Sequence, residues 1–445
     1  MSRGAGLLVS RPAPPAHLLV REARVLDPAG GLDARLDVLV RAGTIAVIGP
    51  DLEPPPGVEV VDGSGRTLLP AFLDPHVHLR TPGAEDAEDL ASGTAAAAAG
   101  GYGAILAMPN TDPVLDSAVL LRALHDRAAA EAVVPVGFLG AITAGQEGER
   151  LAELGALADA GAVGFSDDGR PVERSNVLRR ALQYAGAVDR VLSLHCEDLE
   201  LSGGASAHEG AMAAVLGLRG YPSVSESSRV ARDLRLAAYE RQPLHLCHLH
   251  VAESVAEVRW AREQGLDVSA EASPHHLLLT EDELAGLDPD RKMNPPLAAP
   301  SDRDALVEGL RDGTLDCVAT DHAPHTPSAK DVPFEEAPNG VIGLEVAFPA
   351  LMEGLVAAGR ISLETLVTRM TGGPARAFGL PVPRIAVGAP GELALWDLDE
   401  RWTVGIGDLR SKSRNCAFLG RAVQGRCLLT VARGAVAHRA LPVAA

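Results

Sequence analysis

LLPAFLD (68–74), GAILAM (103–108), VVPVGFLG (133–140), AVGFS (162–166), VLSLH (191–195), LHLCHL (244–249), DVSAEAS (267–273) and DCVATD (316–321) are the stretches that decide the fold. Each is a short apolar run of strand length, and longer Ala/Leu/Arg/Glu segments of helical character lie between them. The chain from 70 to 320 therefore reads as repeated β-α units. Eight such units predict an α/β architecture, a (β/α)8 TIM barrel of parallel strands with helices outside. Leu90 to Ala99, rich in alanine, is expected as a packed helix stopped by Gly100 and Gly101. The connections 196–243 and 274–315 are long. Long loops at the carboxyl ends of barrel strands shape active sites, so 201–228 and 276–300 are expected as substrate walls.

Outside this region, residues 17–62 and 391–438 read as short alternating strands with turns. The expected organisation is a small β-sandwich domain built from both termini, 1–67 and 385–445, beside a barrel spanning 68–384. A 445-residue chain with 47% hydrophobic and 22% charged residues has ordinary soluble composition, which excludes a disordered or membrane-embedded class. Forty basic against 59 acidic residues give a net charge of −19, which argues against nucleic-acid or anionic-lipid partners. Five cysteines without a CxxC pair suggest neither a disulfide framework nor a thiolate zinc knuckle, so a cytoplasmic location is expected. The opening MSRGAGLLVSRPAPPAHLL carries only short apolar runs broken by Arg and Pro, and no targeting segment is expected there.

Twelve of the 14 histidines lie between positions 76 and 325, and several end an apolar run. His76 and His78 in DPHVHLR are separated by one residue, so on an extended backbone both rings project to one side, as two ligands of one metal require. Asp168 follows the fourth run, His195 ends the fifth, His248 lies in the sixth and Asp321 ends the eighth. A barrel gathers those ends on one rim. Four imidazoles and two carboxylates suit Zn²⁺, one ion or two if a carboxylate bridges. His275 and His276 are expected to line the pocket or to bond backbone, His322 to orient neighbours, and His325 to bind substrate. Cys196 and Cys247 are expected to point away from the ligand face by alternation. Gly101-Tyr102-Gly103 precedes a strand and lacks the last glycine of a dinucleotide loop, and there is no P-loop.

DPHVHLR (74–80), AMPNT (107–111), GFSDDGRPV (164–172), HCED (195–198), HLCHL (245–249), SPHH (273–276), MNPPL (293–297), TDHAPH (320–325) and APNGVIGLE (337–345) together resemble the amidohydrolase superfamily of cyclic amidases, and within it the class I dihydroorotases. The resemblance implies zinc-dependent, reversible hydrolysis of dihydroorotate to N-carbamoyl-aspartate. It implies that His76 and His78 hold a first zinc with Asp321, and that His195 and His248 hold a second. Asp168 bridges them, with Asp167 the other choice in GFSDDG. Asp321 is implied as general base and acid, and Arg80, Asn110, Asn294, His325, Asn339 and Gly340 as the substrate-binding set, to which His78 also belongs. Asn339 stands where many relatives carry Phe, and TPSAKDVPFEE (326–336) keeps only Lys330 of an acidic-lysine pair. Hydantoinases and many allantoinases bridge their metals with a carbamylated lysine after the fourth strand. The three lysines here, Lys292, Lys330 and Lys412, all lie elsewhere. The other readings are an allantoinase or hydantoinase, or a non-catalytic scaffold for aspartate carbamoyltransferase. The resemblance also implies association with that transferase or self-association.

Overall fold

The computed structural model describes residues 6–440. Eight parallel strands follow the eight apolar runs: β1 (Phe72–Val77), β2 (Tyr102–Ala107), β3 (Val136–Phe138), β4 (Gly164–Ser166), β5 (Val191–Leu194), β6 (Leu244–Leu246), β7 (Val268–Ala272) and β8 (Cys317–Val318). They form two parallel sheets, β1-β2-β3 and β4-β5-β6-β7-β8. Backbone bonds join the sheets at both edges. Gly140, past β3, is bridged to Phe165 of β4, and Val77 of β1 to His322 beyond β8; the N–H of His78 donates to the carbonyl of His322 at 2.9 Å. Helices alternate with the strands, among them Leu90–Ala99, Ala118–Glu131, Ser175–Ala187, Ser223–Glu240, Ala252–Glu263 and Pro300–Asp312.

The alanine-rich helix has the bounds expected of it. Asp89 accepts from the Ser92 N–H and Ser92 reaches back to Asp89, a capping box that satisfies two otherwise free donors. Ala96, Ala97 and Ala98 are fully buried, and their small side chains allow close packing against β2 and the terminal strands. At Gly100 a Cβ would lie 2.1 Å from the Leu344 carbonyl oxygen, so only glycine permits this approach.

The terminal segments meet in one sheet of mostly antiparallel strands. Leu18–Asp27, Leu32–Arg41, Thr44–Gly49, Glu59–Asp62 and Thr67–Pro70 join Leu393–Thr403, Ala422–Ala432 and Ala435–Arg439. The first apolar run is thereby divided. Thr67–Pro70 pairs with Leu393–Trp396, and β1 starts only after Ala71, because two successive strands without a polar break look like one in the sequence. Trp396 carries the contact between the layers, its ring 5.8 Å from Phe72 and 4.4 Å from Phe348. The connection 404–421 leaves this sheet. Leu409, Cys416 and Phe418 pack with Met293, Leu297, Val341 and Ile342. Among the described residues no helix is long and apolar enough to cross a membrane.

Candidate metal centre and substrate cavity

Each residue expected as a ligand stands at the carboxyl end of a parallel strand, and all six are buried: His76, His78, Asp168, His195, His248 and Asp321. Asp168 Oδ1 lies 3.4 Å from His76 Nε2, 3.3 Å from His248 Nε2 and 3.8 Å from His195 Nδ1, while its Oδ2 lies 3.4 Å from His78 Nε2. Asp321 Oδ1 is 3.1 Å from His78 Nε2 and 3.5 Å from His76 Nε2. Ligands about 2.1 Å from a shared tetrahedral ion stand roughly 3.4 Å apart, so these spacings suit a metal. Among the described residues three sets converge closely enough to hold one: His76, His78 and Asp321; His76, Asp168 and His248; and His76, Cys247 and Glu271, the last on the Nδ1 side of the His76 ring. His76 Nε2 is buried without a hydrogen-bond partner, a lone pair that a cation would satisfy.

The far nitrogen of three rings is engaged, and that fixes which nitrogen faces inward. His76 Nδ1 donates to Glu271 Oε1 at 2.7 Å, His78 Nδ1 to Asn110 Oδ1 at 2.8 Å, and His195 Nε2 to Glu197 Oε2 at 2.8 Å. Glu271 also receives His245 Nε2 at 3.0 Å and the backbone N–H of His248 at 3.2 Å. Burial alone would raise the Glu271 carboxyl, but His76 and His245 outweigh it and hold it far below the usual range. The same competition, burial against His76, His248 and His78, holds Asp168 well down. Asp74, which accepts the N–H groups of His76 and Thr320, is pushed up by burial to about 7. Glu271, Glu197 and Asp74 escape a search for ligands, although an acidic residue inside an apolar strand run, as in VSAEA, is itself a signal of a buried partner.

Asp167 is turned away. Its carboxylate accepts the N–H groups of Ile142 and Thr143 and the Thr143 hydroxyl, so the carboxylate among the histidines is that of Asp168. Cys196 points outward to Asp233, as alternation predicts. Cys247 does not: it lies one residue before His248 on the inner face, against Ser193 Oγ at 3.0 Å and close to His76 and Glu271. Burial drives its thiol up to about 12, which leaves it inert. His250 pairs with Glu226, His276 with the Pro295 carbonyl, and His322 accepts the Gly343 N–H.

A cavity of about 220 Å³ opens over the cluster, lined by His78, Arg80, Asn110, Asp168, Asn294 and Asp321 together with His195, His248, His325, Asn339, Gly340, Gly169 and Ala323. Apart from His76, which lies beneath, this includes every residue expected in the site. Arg80 is half-buried, and its Nε donates to the Pro324 carbonyl at 3.0 Å. Asn294 Nδ2 donates to Glu197, and His325 Nε2 to the Asn339 carbonyl at 2.7 Å. Gly340 has φ +131°, and a Cβ there would come within 2.7 Å of Ala323 Cβ and 3.1 Å of His325 Nε2. Three non-glycine cavity residues also hold positive φ: Arg80 (+53°), His248 (+29°) and Asp321 (+46°), strain of the kind that gathers where a site over-determines its backbone. A larger cavity, about 640 Å³, lies at the amino ends of β4 to β7 among Arg190, Arg262 and Asp316, with none of the clustered imidazoles. The chemistry lies at the carboxyl ends, where sites on parallel strands form.

The Dihydro-orotase-like family matches residues 65–254. The chain is 43% identical over 424 residues to the dihydroorotase of Geobacter sp. (strain M21), covering 95% of this chain and 100% of that one. It is 46% identical over 423 residues to the dihydroorotase of Anaeromyxobacter dehalogenans (strain 2CP-C), covering 95% and 98%. Its fold is similar to that of the L-hydantoinase (dihydropyrimidinase) from Arthrobacter aurescens, with a TM-score of 0.86 at 26% identity over 97% of this chain and 98% of that one. The dihydropyrimidinase from Brevibacillus agri is alike in fold, with a TM-score of 0.82 at 24% identity over 95% of each chain. With relatives this close over nearly the whole length, the chain belongs to the dihydroorotase family.

Proposed function

We propose that the chain is a zinc-dependent dihydroorotase that interconverts dihydroorotate and N-carbamoyl-aspartate. The identity of 43–46% to dihydroorotases over 95% of the chain carries this reading. The eight strands, bonded at both seams, make one closed (β/α)8 barrel. The terminal sheet makes the second, smaller domain, with the first boundary after Pro70 and the second near 385.

His76, His78 and Asp321 would hold one zinc and His195 and His248 another, with Asp168 between the pairs. Bound zinc supplies a water made nucleophilic at neutral pH and a Lewis acid for the scissile carbonyl. Arg80, whose guanidinium offers paired donors, takes the substrate carboxylate. Asn110 contributes Nδ2, since its Oδ1 is engaged by His78. Asn294, His325 and the Asn339–Gly340 backbone complete the ring's enclosure. Asp321, on the cavity wall, takes the proton of the attacking water and returns it to the ring nitrogen as the carbon–nitrogen bond breaks, leaving a carboxylate and a ureido group.

The test is turnover of dihydroorotate by zinc-loaded chain, with dihydrouracil, hydantoin and allantoin offered in parallel. Turnover confined to dihydroorotate is expected. Preference for an uncharged ring would instead favour the hydantoinase reading that the fold neighbours suggest.

A further inference from the structure

The cavity-lining residues Asn294, Ala323, His325, Asn339 and Gly340 stand on three separate backbone stretches, 289–294, 323–325 and 338–340, none of which is a strand or a long helix. Two buried side chains that do not line the cavity tie them together. Lys330 Nζ donates to the carbonyl oxygens of Pro289 at 2.9 Å, Lys292 at 3.3 Å and Pro338 at 2.9 Å. All three of its protons are thereby engaged, and among the described residues no carboxylate lies within ion-pair distance of it. Asn415, from the connection that leaves the terminal sheet, donates through Nδ2 to Ala323 O and Gly340 O, each at 3.0 Å. Its Oδ1 accepts the His325 N–H at 3.2 Å. The Gly340 N–H closes the circuit on Lys292 O at 3.0 Å.

We propose that Lys330 and Asn415 are positioning residues that, without touching substrate, set the spacing between the Asn294 side and the His325–Gly340 side of the cavity. A buried ammonium is costly unless each proton is used; although Asp288 and Asp290 lie nearby, all the hydrogen-bond partners of this one are backbone carbonyls, each at a different point of the three stretches. Asn415 does the same from the far end of the chain, so the C-terminal segment completes a cavity to which it contributes no lining residue. This rests on the dihydroorotase reading only for the kinetic part of its test.

The experiment compares wild type, Lys330→Met, Lys330→Arg and Asn415→Ala by amide hydrogen exchange and by dihydroorotate kinetics, with metal content measured for each. In Lys330→Met, exchange is expected to quicken about tenfold or more at 289–294 and 336–342 and nowhere else, with kcat/KM down about 100-fold at unchanged metal content. Lys330→Arg should fail to restore either, because a planar fork cannot reach three carbonyls that converge on one point. Asn415→Ala should loosen 323–325 and 340–342 in the same way, and it carries the test if Lys330→Met does not fold. Unchanged exchange would overturn the proposal. So would rescue by Arg combined with a KM defect that vanishes in high salt, since that is the behaviour of a charge that attracts the anion. A wild-type chain inert toward dihydroorotate would refute the functional reading, and the exchange data would still decide the role of the two side chains.

Discussion

Replacing Glu271 by Gln should weaken metal binding although Glu271 is not expected to touch the metal. Its two oxygens take the His76 Nδ1–H at 2.7 Å and the His245 Nε2–H at 3.0 Å. The amide of Gln offers one acceptor and one donor to the same pair, so one imidazole must change tautomer. If His76 changes, its Nε2 carries a hydrogen toward Asp168 and Asp321 and is lost as a ligand. If His245 changes, the charge-assisted bond to His76 is still replaced by a neutral one. Loss of such an outer partner costs about 10–100-fold in affinity, or about 1.4–2.7 kcal/mol. The assay is competition with a chromophoric chelator for zinc on wild type and Glu271→Gln, with circular dichroism to establish that both are folded. Wild-type affinity in the folded variant would refute the argument that Glu271 sets the His76 tautomer.

Asp321→Asn should retain most of its zinc yet lose about 10²–10⁴ in kcat, because an amide cannot carry the proton; near-normal turnover would remove Asp321 from that step. Arg80→Lys should raise KM for dihydroorotate about tenfold or more with a smaller change in kcat, as a point charge replaces a bidentate donor; an unchanged KM would show that the carboxylate binds elsewhere. Glu345, buried beside Glu88 and accepting the N–H groups of Arg410 and Ser411, has its carboxyl pushed up to about 7, chiefly by burial. Between 4.5 and 7 the folded state therefore binds the proton more tightly than the unfolded chain, so the stability this group lends below that range is lost as pH rises through 7. Glu345→Gln, which cannot ionise, should remove this slope, worth on the order of 2–3 kcal/mol between pH 5 and 8; parallel melting curves for the two proteins across pH 5–8 would refute it.

The eight parallel strands are legible because each is buried on both faces and so reads as an unbroken apolar run between helical segments. The same property hides the break at Pro70–Phe72, where a terminal-sheet strand and β1 adjoin without a polar residue between them. The terminal strands are legible by alternation, but their pairing across more than 300 residues is not, since nothing local encodes which edge meets which. The connection 404–421 could not be anticipated. Its apolar residues are few and unpatterned, and it is the distant surface formed by Met293, Leu297 and Val341 that makes Cys416 and Phe418 core residues.

The clustered imidazoles and carboxylates are legible because they sit at strand ends, and strand ends are marked by the runs. Their supporting partners arise from strand interiors and loops: Glu271 is signalled only by its place inside an apolar run, and Glu197 looks like an ordinary polar residue until the fold shows that it faces His195. That difference bears on substrate choice. A TM-score of 0.86 to a hydantoinase fixes the backbone and leaves the chemistry open, so the distinction must come from side chains. The group between the two histidine pairs is the Asp168 carboxylate and not a lysine side chain. Each of the three lysines is engaged elsewhere: Lys292 on the Glu335 carbonyl, Lys330 on three carbonyls of the cavity wall, and Lys412 on Asp89 and the Glu85 carbonyl. None lines the cavity, so no lysine can be brought between the histidines without dismantling a contact that holds the wall or the capped helix behind it. The shared backbone thus carries an aspartate, Asp168, between the two histidine pairs of this chain.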